Sequence, residues 1–141
     1  IPLAFAKLPT REDLVAQTKD TNKYLAMRAK MLLEEVDGGR PLSQTYAYPV
    51  QLWQFGNDLQ WFFLGGEVVV DFAIRTKAEQ RGAKTWMAGY SNDVMAYIPS
   101  RRVLTEGGYE GGGAMVYYGL PAIWGPEVEE TIVRAVHEVA K

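Results

Sequence analysis

A chain of 141 residues is long enough for one domain with a core of its own and too short for two ordinary ones. Hydrophobic residues make up 48% and charged residues 23%, a globular balance that excludes wholesale disorder. Fifteen basic side chains against seventeen acidic ones leave a net charge of −2, split as −1 on each side of residue 70, which argues against nucleic acid as a main partner.

There is no cysteine, so disulfides, thiolate metal sites and cysteine nucleophiles are excluded. His137 is the single histidine, so one copy of the chain cannot build a metal site mainly from imidazoles. The chain opens at Ile1 with no basic segment leading into a long apolar run, and nothing approaches the roughly 20 apolar residues of a membrane span. The expectation is a soluble chain without a transmembrane segment, forming part of a longer protein.

Residues 10–37 read as one long amphipathic helix. Thr10 is placed to cap it with Asp13 as its capping-box partner, and Glu12 and Asp13 suit the positive end of the helix dipole. Leu14, Thr18, Thr21, Leu25, Ala29, Leu32 and Val36 mark its stripe, weakly apolar in the first half. Asp37-Gly38-Gly39 stops it, and Arg40-Pro41 prevents resumption.

Two strands follow, over 45–55 and 59–64, joined by a turn at Gly56-Asn57-Asp58. Val50, Leu52 and Gln54 alternate against Gln51, Trp53 and Phe55, and Pro49 suits an edge or the start of the paired region. Trp53, Phe55, Trp61, Phe62 and Phe63 are expected in the core and in cross-strand pairs. A helix should begin just after Gly65-Gly66, buried in its first two turns, and end at Gly82. Residues 84–90 read as a third strand. The stretch Ser91–Gly125 is poor in regular signals, and seven of the fourteen glycines fall between 107 and 125.

The last helix is the clearest. Pro126 fits its first position, Glu127, Glu129 and Glu130 suit its N-terminus, and Val128, Ile132, Ala135, Val136 and Val139 form its apolar stripe. His137 lies beside that stripe as a boundary residue. The order α-β-β-α-β-loop-α predicts an α+β or layered α/β domain, with a mixed sheet and flanking helices.

Two stretches could carry chemistry. A strand ending in Gly65-Gly66 and releasing Glu67 puts a carboxylate at a strand's C-terminal end, a common ligand position in α/β folds. The plainer account is that Glu67 only stabilises a helix dipole. The segment SNDVMAYIPSRRVLTEGGYEGGG, residues 91–113, is a long glycine-rich loop of the kind that is often functional. It holds Tyr97 and Tyr109, twelve residues apart. A tyrosine hydroxyl can donate to a developing oxyanion or ligate a metal, or its ring can simply fill core space. Arg101-Arg102 is explained by a solvated turn. GxSxG, HExxH, P-loop and GxGxxG motifs are all missing.

At these residues the chain resembles the neutral/alkaline non-lysosomal ceramidase family. The resemblance runs through Gly66-Glu67, then Asn92 with Tyr97 five residues on, then Tyr109-Glu110-Gly111. It covers about residues 50–120. It implies a zinc-dependent amidohydrolase that cleaves the N-acyl amide bond of ceramide or a related lipid. By the same resemblance Glu67 and Tyr97 are zinc ligands and Tyr109 stabilises the tetrahedral intermediate. The remaining ligands are histidines of upstream motifs that this chain lacks, so it looks like the C-terminal part of the catalytic region, inactive alone. The general base also lies upstream by family pattern, and relatives are often exported or membrane-associated. Departures from the family pattern occur after Tyr97, where Ile98-Pro99-Ser100 replaces a Val-Thr-Thr-like run, and after Gly111, where Gly112-Gly113 replaces Ala-Ser. The family's immunoglobulin-like C-terminal domain has no counterpart. Two alternatives stay open: an amidase for a different N-acyl substrate, or a non-catalytic interaction domain that kept the scaffold.

Overall fold

The amphipathic stretch at the N-terminal end divides where its stripe is weakest. In the computed structural model, which describes residues 1–80 and 84–141, helix α1 covers Arg11–Gln17 and α2 covers Lys23–Asp37. The Thr10 capping box with Asp13 forms as expected. One continuous helix does not, because Thr18–Asn22 is a run of turn and cap formers. Thr18 Oγ1 donates to the Val15 carbonyl, and Asn22 caps α2 by accepting from the amides of Tyr24 and Leu25. The two helices form a hairpin around Leu14, Ala29 and Leu32, closed by a bidentate Arg11–Asp37 pair. Gly38-Gly39 ends α2, with Gly39 at φ +78°.

Strand β1 (Pro2–Ala4), without a counterpart among the expected elements, pairs antiparallel with β2 (Thr45–Ala47). The expected strand over 45–55 breaks at Tyr48-Pro49, and β3 (Val50–Phe55) starts immediately afterwards. It forms the expected hairpin with β4 (Leu59–Leu64), in register from Val50↔Leu64 to Phe55↔Leu59. Two residues, Glu67–Val68, form β5, and helix α3 runs Val70–Glu79. This helix starts later than expected and buries Phe72 and Thr76, while Val70 and Ile74 stay exposed. Its expected end at Gly82 lies outside the described residues. Strand β6 (Lys84–Ala88) joins β4 in parallel, so the order β3-β4-β6 is a mixed sheet.

The segment after β6 is more regular than its glycines suggest. It contains β7 (Tyr97–Ile98), α4 (Arg101–Glu106), a one-turn α5 (Gly108–Gly111) and a 3₁₀ segment at Gly113–Tyr118. Helix α6 (Val128–Val139) closes the chain, with Pro126 just outside it. Val128, Ile132, Val133, Ala135 and Val136 are buried, whereas Val139 is exposed. The core gathers Phe62 and Leu64 from β4, Phe72 from α3, Ile98 from β7 and the α6 stripe. Trp124, stacked on Phe5 with ring centroids 5.0 Å apart, fills its centre. The fold is α+β, with a mixed sheet and flanking helices, as the element order predicts.

One expectation about the sheet fails. Of the five aromatics assigned to the core, only Phe62 is buried. Trp53, Phe55, Trp61 and Phe63 share the opposite face, because the period of two sends odd-numbered residues of both strands outward. They do make cross-strand pairs, such as Trp53–Trp61 at 6.3 Å and Trp53–Phe63 at 4.9 Å. Among the described residues, no helix is long and apolar enough to cross a membrane.

Candidate functional site

Glu67 sits in a strand, not at a helix N-terminus, which removes the helix-dipole account of its carboxylate. Strand β5 pairs in parallel with β7, and the register sets Glu67 directly beside Tyr97 and Val68 beside Ile98. Only two residues from each side form this ladder, and surrounding bonds hold it. The Glu67 amide donates to the Ala96 carbonyl at 2.8 Å and the Gly66 amide to the Asp93 carbonyl at 2.8 Å. The buried Tyr48 hydroxyl donates to the Gly65 carbonyl at 2.8 Å. The Trp124 indole donates to the Tyr97 carbonyl at 2.8 Å. Tyr46 fixes the loop from the other side by donating to Asp93 Oδ2 at 2.6 Å.

Gly66 is required here. Its φ is +70°, and a Cβ at this position would stand 2.6 Å from the Ala96 carbonyl oxygen and 2.8 Å from Ile98 Cγ1. Only a residue without a side chain lets the strand end approach the 93–98 loop this closely.

The Glu67 carboxylate lies beside two phenols, Tyr97 and Tyr90, and both hydroxyls are pushed up to about 12. The first cause in each case is the Glu67 carboxylate, which favours the protonated phenol; partial desolvation adds to it. Tyr109 lies edge-on to Tyr97 with ring centroids 5.5 Å apart and is 56% exposed, so it does not fill core space. The row continues through Tyr117, 6.1 Å from Tyr109, to Tyr24 on α2, 4.8 Å from Tyr117. Thus Glu67, Tyr97 and Tyr109, scattered over 43 positions of chain, form one open cluster.

Tyr90 is the residue that sequence reasoning missed. It follows Gly89 at the C-terminal end of β6, a ligand position in parallel sheets, and that placement was the available signal. Its φ is +53°, a left-handed conformation that bulky residues seldom adopt and that often marks functional loops. Its amide donates to the Gly66 carbonyl at 2.8 Å, tying the end of β6 to the glycine pair. Asn92, at φ +66°, donates from Nδ2 to Gln51 Oε1 at 3.1 Å rather than pointing at Glu67.

A cleft of about 320 Å³ adjoins the pair, lined by Glu67, Tyr97, Asp71, Arg102 and Glu110. Arg102 does not stand free as in a solvated turn. It binds Asp71 at 3.0 Å and Glu106 at 3.0 Å. Ser100 is buried, caps α4 through its bond from the Val103 amide at 3.3 Å, and donates to Asp71 Oδ2. Ser100 first, then Arg102, hold the Asp71 carboxyl below the usual range. This network fixes the start of α3 to the loop carrying Tyr109. On the far side, Arg75 joins α3 to α6 through Glu129 and Glu130. His137 bonds Glu79 at 2.7 Å and Gln80 at 3.2 Å, a boundary residue between helices.

As a metal centre the cluster is partial. Glu67 and Tyr97 offer a carboxylate and a neighbouring phenol, two oxygen donors of the kind a hard cation takes. A catalytic zinc takes three protein ligands as a rule. Among the described residues, no group of three or more His, Cys, Asp or Glu side chains is placed to hold a metal. Compared with protein-family models, with curated proteins and with solved structures, the chain matches none.

Proposed function

We propose that the chain is the C-terminal part of the catalytic region of a zinc-dependent N-acyl amide hydrolase of the neutral ceramidase kind, acting on ceramide or a related N-acyl lipid. The observation that carries this reading is the in-register meeting of Glu67 and Tyr97, with Tyr109 beside them at an open edge. Residues at three separate places in the sequence had to converge for it to hold, and nothing in their spacing alone required that. The amide substrate class rests on the family resemblance.

Glu67 and Tyr97 would hold the metal, with the other ligands coming from outside these residues. Bound zinc supplies Lewis acidity and acidifies a water to near neutral pH. The protein's own part is positional. Tyr97 keeps its proton up to about pH 12 beside the Glu67 carboxylate, so ligation through the phenolate requires a cation to displace that proton. Tyr109, exposed and unencumbered by a carboxylate, is free to donate to a carbonyl oxygen as it gains charge. Removing such a donor typically costs about 2.7–4 kcal/mol of barrier. Tyr90 is a second phenol beside the Glu67 carboxylate and would help to hold it.

The test uses the longer protein that contains these residues. Glu67→Ala and Tyr97→Phe are expected to lower zinc content and amidase turnover together. Tyr109→Phe is expected to lower turnover roughly a hundred- to a thousandfold with zinc retained. Full zinc occupancy and turnover in the first two variants would reject the assignment.

A further inference from the structure

Helices α1 and α2 make a hairpin with a small core of its own, and a cleft of about 350 Å³ opens where that hairpin meets the rest of the domain. One wall comes from the hairpin, through Asp13 and Gln17 on α1 and Arg28 on α2. The other comes from residues 7–9 and 121–123. These two segments are tied together by the Ala6 amide, which donates to the Ile123 carbonyl at 2.8 Å. The size lies at the lower end of small-molecule sites, roughly 300–1,000 Å³.

Arg28 is the unusual group in this cleft. Arg11, Arg75 and Arg102 each stand on carboxylates. Arg28 does not. Among the described residues its hydrogen-bond partner is the neutral Gln17, with Nη2 donating to Oε1 at 3.1 Å, and its Nε is enclosed without any partner. Burial alone pushes the guanidinium below its ordinary value, the mark of a cation stripped of water and given no counterion. Such a charge gains more from an anion than a fully hydrated one does. Asp13 does not fill that role. Its carboxylate accepts from the Thr10 amide at 2.9 Å, and Lys7 is the cation that acts on it. Lys7 and Arg28 against Asp13 leave the cleft with a surplus positive charge. The rest of the lining, Leu8, Pro9, Pro121, Ala122 and Ile123, is apolar.

We propose that this cleft binds a small monocarboxylate with an apolar tail, its carboxylate on Arg28 and its tail against the wall around Ile123. The planar guanidinium suits a carboxylate, and Gln17 holds it in place through the bond to Nη2. A single negative charge balances the cleft, whereas a phosphate dianion would leave surplus charge beside Asp13. None of these groups belongs to the Glu67–Tyr97 cluster, so the site stands whether or not a metal binds there.

The test is calorimetric titration of the protein that contains these residues with hexanoate, alongside hexanamide, acetate and inorganic phosphate. The expected result is saturable hexanoate binding, with each of the other three several-fold weaker or more. Arg28→Met should weaken hexanoate roughly ten- to a hundredfold, the worth of a hydrogen bond to a charged group. It removes a poorly hydrated charge at similar length, so the urea midpoint should not fall. Ile123→Glu, at an exposed position, sets a competing carboxylate on the apolar wall and should weaken hexanoate as well. Absence of saturable hexanoate binding, or binding that both variants leave intact, would overturn the proposal. Hexanamide as tight as hexanoate would show that the charge is not read, and acetate or phosphate as tight would show that the apolar wall is not; either result overturns it. Binding kept in Arg28→Met but lost in Glu67→Ala would place the carboxylate at the Glu67–Tyr97 cluster and overturn it too.

Discussion

Gly66→Ala tests how the site is built. The substitution adds one methyl group, and two separate costs follow from where that methyl falls. Gly66 has φ +70°, and an alanine held in the left-handed region costs about 1–2 kcal/mol. The new Cβ would also lie 2.6 Å from the Ala96 carbonyl oxygen, 2.8 Å from Ile98 Cγ1 and 3.1 Å from Ile98 Cδ1. Neither neighbour can retreat easily. Ala96 and Ile98 are both fully buried, and the Ala96 carbonyl accepts the Glu67 amide, so its withdrawal would break that bond. Overpacking of this kind adds about 1–3 kcal/mol. The sum, about 2–5 kcal/mol, is a large share of the roughly 5–15 kcal/mol that a domain has in total. Gly39→Ala is the control: its φ is +78°, yet nothing lies within 4 Å of the added methyl. It should show the conformational cost alone. Urea unfolding gives both values from the shift in midpoint. A difference between the two variants of less than about 0.5 kcal/mol, within the scatter of surface substitutions, would refute the close approach of β5 to the 93–98 loop.

Tyrosinate absorbance should show three phenols, Tyr46, Tyr90 and Tyr97, ionising near pH 12, and Glu67→Gln should bring Tyr90 and Tyr97 down toward the ordinary value near 10 while leaving Tyr46, which is held by Asp93, in place. Because the folded-state values are raised, this contribution to stability is complete below about pH 10 and is lost as pH climbs through about 12; alkaline unfolding that ignores Glu67→Gln would contradict the shared carboxylate. The Asp71 carboxyl is shifted the other way, so its contribution is present above the ordinary aspartate value near 3.9 and disappears as pH falls below it. Ser100→Ala removes both the principal hydrogen bond to Asp71 and the cap of α4, and should cost about 1 kcal/mol near neutral pH with less further loss in acid. An acid-unfolding profile identical to that of the parent would dismiss the network.

Elements long enough to show a period were legible in the sequence. The β3–β4 hairpin, with its turn at Gly56-Asn57-Asp58, and the stripe of α6 came from alternation and spacing that tertiary contacts then reinforced. The break between α1 and α2 was written in Thr18–Asn22, but a stripe that continued across it outweighed the cap residues. Strands β1, β5 and β7 are two or three residues long, and no periodicity can be read from so few positions. The aromatics were misplaced for a different reason. Alternation says which residues share a face; hydrophobicity said that this face should be inside, but among the described residues helices cover only one side of the sheet. At the site, Glu67, Tyr97 and Tyr109 were singled out through short motifs, and the structure sets them side by side. Tyr90 was not, because its role depends on a positive φ and on the parallel pairing of β6, both set by tertiary structure.

The two parallel pairings, β4 with β6 and β5 with β7, explain why this convergence is robust to changes in its own side chains. The first brings two C-terminal strand ends to one edge, with Glu67 just beyond β4 and Tyr90 just beyond β6, and the second sets the opening residues of its strands, Glu67 and Tyr97, side by side. The bonds that fix this edge are made by main-chain groups of Gly65, Gly66, Glu67 and Tyr97, and their side-chain partners, Tyr48 and Trp124, are buried elsewhere. Glu67 and Tyr97 are only partly buried, and Tyr109 is open to solvent. Replacing those three side chains therefore leaves the anchors untouched, whereas adding a methyl to Gly66 disturbs them directly. Loss of zinc in Tyr97→Phe then reports on a missing oxygen and not on a collapsed strand, provided that the variant keeps the urea midpoint of the parent. A Tyr97→Phe protein that unfolds as early as Gly66→Ala would show that the phenol itself holds the edge together, and the separation of site from scaffold would be wrong.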